Sequence, residues 1–142
     1  MLRLIYTNSN LPLSYVIRFL TWSEWSHVGI LTPENTVIDS HIARKGVTEQ
    51  SFSDFISSDI DKYEIKVYDS IPDNVYDIAR TQIGKPYDWT AVCGIPFRRN
   101  WQEDDSWFCS ELVAWACKEA GRPLISKPTW RITQQDIYET VA

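Results

Sequence analysis

Cys109 begins a predicted helix whose sequence is Cys-Ser-Glu-Leu-Val-Ala-Trp-Ala. The first turn of a helix carries unpaired N–H groups and a partial positive charge, and both favour a thiolate over a thiol. The same N–H groups can stabilise the oxyanion that forms when a thiolate attacks a carbonyl. Leu112, Val113 and Ala116 share the face of Cys109 and would anchor it by packing. The alternative is a structural cysteine, since free cysteine is often buried.

His27 lies in a predicted strand and is the candidate base. It shares one strand face with Gly29, whose missing side chain leaves room for another element to approach. On the next strand of the same hairpin, Asp39 and His41 also share a face. Either side chain could orient the imidazole, as an activated nucleophile requires. His41 could also be a second active-site histidine or an exposed residue, and His27 a structural one.

A third candidate feature is the segment Gly84-Lys85-Pro86-Tyr87-Asp88-Trp89. The glycine can end a helix, the proline restricts the turn, and two aromatic residues follow. The pattern predicts a rigid, aromatic-rich turn ahead of Cys109. A plain helix end with core aromatics is the alternative.

Together, the segments GKPYDW, FCSELVAWA, SHVGIL and VIDSH resemble the NlpC-type papain-like cysteine hydrolases. In that family, a Gly-x-Pro-Tyr-x-Trp turn precedes a helix that begins with the nucleophilic cysteine, and a His-Val-Gly-Ile strand carries the base. Here His27 precedes Cys109, the reverse of the common order. This order resembles the circularly permuted YaeF/YiiX-like branch, to which the lecithin:retinol-acyltransferase-like proteins are related. The resemblance runs from about Tyr6 to Gly121.

The resemblance implies a role for each matching residue. Cys109 matches the nucleophile, His27 the base and Asp39 the third, orienting residue. Tyr87 matches a tyrosine that lies against the nucleophile, and its hydroxyl would join the Cys109 backbone N–H in stabilising the oxyanion. The implied reaction is hydrolysis of an amide through a thioester on Cys109.

Two departures from the family pattern affect the site. Asp39 stands where histidine, asparagine or glutamine is most usual, although a carboxylate can orient an imidazole equally well. His41 is the substitute candidate for that role, and Trp89 is a further secondary candidate. Residues 91–107 form a long insertion before the cysteine, which could act as a lid or specificity element or could close the site.

These groups need a sheet and several helices to position them. The predicted strands cover residues 2–6, 26–31, 36–41, 45–48 (a short edge strand) and 63–68. Five helices are predicted. The first follows Ser9 or Asn10, the second starts at Ser51 with Asp54, and the third runs from Pro72 to Gly84. The fourth covers residues 108–120, and the fifth starts at Thr133 with Asp136. This content predicts an α+β fold with antiparallel pairing.

The resemblance implies a single permuted papain-like domain over residues 1–142. We expect an antiparallel sheet or small barrel packed against helices, with the nucleophile at a helix N-terminus. Two helices have predicted apolar faces, formed by Leu13, Val16, Ile17 and Leu20 and by Val75, Ile78, Ala79 and Ile83.

Composition excludes several functional classes. The chain has 142 residues, is 44% hydrophobic, and carries a net charge of −5, which argues against a nucleic-acid partner. Three cysteines (Cys93, Cys109 and Cys117) do not form a disulfide framework, and no CxxC is present. A metal site from His27, His41 and Cys109 lacks the usual short ligand spacing, so no metal or cofactor is predicted.

The N-terminal residues, Met1 to Leu20, lack the features of a signal peptide, and no run is long enough to span a bilayer. We therefore expect a protein that is cytoplasmic where it is made and not stably inserted in a membrane.

The expected substrate is a small peptide or amide, such as a cell-wall peptide or peptidyl conjugate. A cell-wall target would then imply lysis, another secretion route or a phage-encoded role. The alternatives are lipid acyl hydrolysis or transfer, and a non-catalytic binding module.

Overall fold

The computed structural model describes residues 1–10, 12–21, 23–41, 46–56, 60–86, 109–128 and 132–140. Within these ranges, the elements are β1 (Leu2–Ser9), α1 (Pro12–Thr21), β2 (His27–Leu31), β3 (Thr36–His41), β4 (Gly46–Ser51), α2 (Phe52–Phe55), β5 (Ile60–Tyr68), α3 (Val75–Arg80), α4 (Cys109–Glu119) and α5 (Gln134–Glu139). No helix of the described ranges is both long and apolar enough to cross a membrane.

The described strands form one open antiparallel sheet in the order β4-β3-β2-β1-β5. The α+β prediction with antiparallel pairing is therefore confirmed, in its open-sheet form rather than as a barrel. Three strands are longer than their apolar patterns predict: β1 continues to Ser9, β4 to Ser51, and β5 begins at Ile60. Backbone pairing extends them through polar residues, which the hydrophobic alternation does not register.

The main core lies between one face of the sheet and the helices. Alternate strand residues point into it, including Leu4 and Tyr6, while Ile5 points to the opposite face. From the helical side, α4 contributes the buried side chains of Leu112 and Val113. Helix α4 packs against both β2 and β3. The helix that begins with Cys109 therefore lies on the two strands that carry His27 and Asp39.

Local sequence signals place several element boundaries as predicted. The turn between β2 and β3 contains Asn35 at φ 63°, a conformation that asparagine tolerates. The Ser51 hydroxyl accepts a hydrogen bond from the Asp54 N–H at the start of α2. Thr133 and Asp136 form a complete capping box at the start of α5.

Two predicted core residues are wrong, since Val16 is 48% and Ile83 44% exposed. In α1 the side chain of Ile17 is buried, and Val16 lies about 100° away from it around the helix axis. Helix α3 ends at Arg80, so Ile83 belongs to the turn that follows rather than to a helical face. The side chains of Leu13 and Leu20 lie outside the described part of the structure.

Candidate active site

Cys109 is the first residue of α4 and is buried, with 1% of its surface exposed. The apolar residues on its side of the helix pack into the main core, and Gly121, at φ 87°, follows the C-terminal end. The structure therefore places the thiol at a helix start, as the sequence predicts. Cys117 lies two turns further along α4, where burial raises the pKa of its thiol to about 12. Cys93 lies outside the described residues.

His27 is the first residue of β2, and its backbone pairs with that of Thr7 in β1. Its side chain is 12% exposed, and its Nε2 donates a hydrogen bond to Oδ2 of Asp39 at 2.6 Å. The Asp39 carboxylate is fully buried behind the imidazole. Because Nε2 is engaged with Asp39, the other ring nitrogen is the one left to face the thiol.

Electrostatic contacts favour the protonated imidazole. Burial opposes the positive charge, but the neighbouring Cys109 side chain and the hydrogen bonds to Asp39 and Cys109 outweigh it. The net result raises the pKa of His27 to about 9. The raised pKa favours the protonated ring, which lies between the Cys109 sulfur and the Asp39 carboxylate.

Gly29 explains how Asp39 comes so close to the base. A Cβ atom at position 29 would lie 2.7 Å from Cγ1 of Val37 and 3.3 Å from Cβ of Asp39. A Cβ atom essentially never lies as close to another heavy atom as the first of these distances. The glycine next but one to His27 therefore lets the β3 side chains pack closely against β2.

His41, the substitute candidate for the third residue, packs edge-on against the His27 ring. The two ring centroids are 5.0 Å apart, with an interplanar angle of 77°. His41 is thus a neighbour of the base, whereas Asp39 is in direct hydrogen-bond contact with it.

The start of the Gly84–Trp89 segment is attached to the edge of the sheet. The Lys85 carbonyl accepts a hydrogen bond from the Val47 N–H at 2.8 Å, and the Gly84 N–H donates to the Val47 carbonyl at 3.0 Å. Position 47 follows Gly46, the partner of His41 across the β3–β4 pairing. Tyr87, Trp89 and the 91–107 insertion lie outside the described residues, so their predicted roles stay predictions.

Gln134, which no sequence motif marks as a candidate, also reaches the thiol. Its Nε2 lies 3.4 Å from Sγ of Cys109 and 3.0 Å from the carbonyl oxygen of Ser26. A glutamine in the first turn after a capping box is unremarkable in sequence, so no local signal marks it. Among the described residues, no group of three or more His, Cys, Asp or Glu side chains could hold a metal ion.

An α+β fold in which a cysteine-first helix packs on the strand that carries a histidine is papain-like. The chain belongs to the family of permuted papain-like amidases, the YaeF/YiiX or C92 family, whose model matches residues 3–141. It is therefore a hydrolase of the cysteine-peptidase type that acts on amide bonds. The predicted resemblance to the permuted branch is confirmed.

A solved structure agrees with this family. The chain is similar to the metalloprotein yiiX from Escherichia coli O157:H7, with a TM-score of 0.68 and 20% sequence identity. The likeness covers 97% of this chain and 91% of that chain, and at this identity it shows the fold alone. No curated protein sequence matches the chain.

Proposed function

We propose that the protein hydrolyses an amide bond through a thioester on Cys109, with His27 as the base and Asp39 as its orienting residue. The observation that carries this proposal is the chain of contacts from the buried Asp39 carboxylate through the His27 ring to the thiol at the start of α4. Each member comes from a different element, and packing of α4 on β2 and β3 brings them together.

The first step is acylation of the thiol. The Cys109 thiolate attacks the amide carbon, a C–S bond forms, and the carbonyl π electrons move onto oxygen. N–H groups in the first turn of α4 stabilise this oxyanion. The intermediate collapses with cleavage of the C–N bond, and the His27 imidazolium transfers its proton to the leaving amine.

The second step is hydrolysis of the thioester. His27 takes a proton from water as the water oxygen attacks the thioester carbon, and the C–S bond then breaks to release a carboxylic acid. The thiolate and the imidazolium are thereby restored. Asp39 holds the ring in one orientation and stabilises its positive charge in both steps.

The substrate we propose is a small peptide or related conjugate, such as a cell-wall peptide. The limited exposure of both reacting groups supports a slender reacting segment, since Cys109 is 1% exposed and the His27 side chain 12%. A folded protein surface could not present its backbone to a thiol at this depth without unfolding locally.

Paired cysteine variants test the proposal. Cys109→Ala and Cys117→Ala each remove one buried thiol from the same helix, and only the first removes the nucleophile. The assay compares peptidoglycan fragments, p-nitrophenyl esters and phosphatidylcholine vesicles. We expect wild type and Cys117→Ala to cleave the peptide fragments, and Cys109→Ala to be about 10³-fold slower or inactive. Activity retained in Cys109→Ala would contradict the proposal, and cleavage of the phospholipid alone would favour the lipid alternative.

A further inference from the structure

Gln134 makes two contacts that the proposed mechanism does not use. Its side chain is completely buried in the first turn of α5. The amide nitrogen donates to the Ser26 carbonyl at 3.0 Å and to Cys109 Sγ at 3.4 Å. Ser26 directly precedes His27, so one amide group connects the strand of the base with the nucleophile.

The orientation of this amide follows from its partners. A backbone carbonyl only accepts hydrogen bonds, so the nitrogen of Gln134, not its oxygen, must face Ser26. An NH2 group has two hydrogens, and the second is free to point at the sulfur. The buried Oε1 of Gln134 has no hydrogen-bond partner within the described residues. The site thus satisfies the donors of this amide and leaves its acceptor unpaired.

Neighbouring contacts hold α5 in place against α4. The buried Ser110 hydroxyl donates to the Ile132 carbonyl at 2.7 Å, which links the residue after the nucleophile to the segment that leads into α5. The capping box of Thr133 and Asp136 then sets the first turn in which Gln134 lies. The amide is therefore positioned before any substrate binds, as a donor to a developing charge must be.

We infer that Gln134 is a catalytic residue, the side-chain donor to the oxyanion that forms during attack by Cys109. The inference rests on the function proposed above. When the C–S bond forms, negative charge moves from sulfur to an oxygen one carbon away, within reach of the N–H that faced the sulfur. No proton moves to or from Gln134 in this step. Backbone N–H groups of the first turn of α4 supply the other donors.

Two reactions of the same thiol test this role. p-Nitrophenyl acetate acylates a thiolate through an oxyanion, whereas iodoacetamide alkylates it at a saturated carbon without one. Both reagents must reach the same sulfur, so access affects them alike. Gln134→Met keeps the length of the side chain without a donor, and Gln134→Glu keeps the shape but replaces the donor nitrogen with oxygen. Gln135→Ala is the matched control, because its amide bonds Glu24 and Glu139 instead.

We expect Gln134→Met to slow acylation by about 10²-fold, while alkylation stays within about threefold of wild type. Gln134→Glu should be at least as slow in acylation, and Gln135→Ala should match wild type in both reactions. Should Gln134→Glu fail to fold in a thermal melt, the Met variant still decides the question.

Three outcomes overturn the inference. Unchanged acylation in folded Gln134→Met would remove any role in the reaction. Equal losses in acylation and alkylation would assign Gln134 to holding the thiolate or the fold. If mass spectrometry finds that wild type is alkylated at Cys109 but never acylated there, the proposed function itself fails, and this inference fails with it.

Discussion

The Nε2 atom of His27 lies 2.6 Å from Oδ2 of Asp39, across a gap of twelve residues in sequence. The carboxylate is fully buried and the imidazole nearly so. A charge-assisted hydrogen bond of this length fixes the plane of the ring and favours its protonated form. The pair therefore determines both the direction in which the base points and the pH range over which it carries a proton.

Replacement of Asp39 tests the orienting role. Asp39→Asn keeps a hydrogen-bonding group of the same size but removes the charge that helps to raise the pKa of His27. We expect kcat/KM for the amide substrate to fall by roughly 10²-fold, with Asp39→Ala lower still. The pKa of the His27 imidazole, followed by NMR as the pH is varied, should be lower than in wild type because the ring loses its charged partner. A rate and a His27 pKa identical to those of wild type would show that Asp39 does not act on the base.

His41 offers the matched comparison. His41→Phe keeps an aromatic ring that can pack edge-on against His27 but has no titratable nitrogen. We expect this variant to stay within about threefold of wild-type kcat/KM, because the direct hydrogen bond to the base comes from Asp39. A loss as large as that of Asp39→Asn would make His41 the third residue instead.

Stability should depend on pH through His27. The folded state raises the pKa of His27 from 6.5 to about 9. The contribution of the protonated ring to the free energy of unfolding is therefore fully present below pH 6.5 and is lost as pH rises through 9. A shift of this size corresponds to a contribution on the order of 3 kcal/mol. Denaturant unfolding at several pH values measures it, and His27→Gln should flatten the decline between pH 6.5 and 9. Cys109→Ala should flatten it in part, whereas equal slopes in all three proteins would refute the coupling.

Gly29→Ala should disturb the site by crowding. The added methyl group would meet Val37 and Asp39, and we expect a loss of about 1–3 kcal/mol in the free energy of unfolding together with a lower kcat. Val37→Ala in the same chain should recover part of both losses, since it removes the closest contact. Gly121→Ala is the control: its positive φ strains the backbone, but nothing lies within 4 Å of the added atom. Activity unaffected by Gly29→Ala would show that the close packing is not needed.

Much of the fold could be predicted because its signals are local. The β3 boundaries, Thr36–His41, agree with the predicted strand, and capping at Ser51 and Thr133 begins α2 and α5 as expected. The placement of Cys109 at a helix start is likewise readable from the helical pattern that follows it. Burial was less predictable: Val16 lies at the margin of its helix face, and Ile83 lies beyond the end of α3.

The sequence by itself determined which groups could react and the permuted order in which the chain presents them. Alternation along β3 places Asp39 and His41 on one face, so no count of residues could choose between them. In the folded sheet, the Asp39 carboxylate is the group that bonds the imidazole. Tertiary packing also decided the place of Gln134, whose partner Ser26 is 108 residues away. Capping and periodicity depend on near neighbours and can be read directly, whereas contacts between distant segments exist only once the sheet register and helix packing are set.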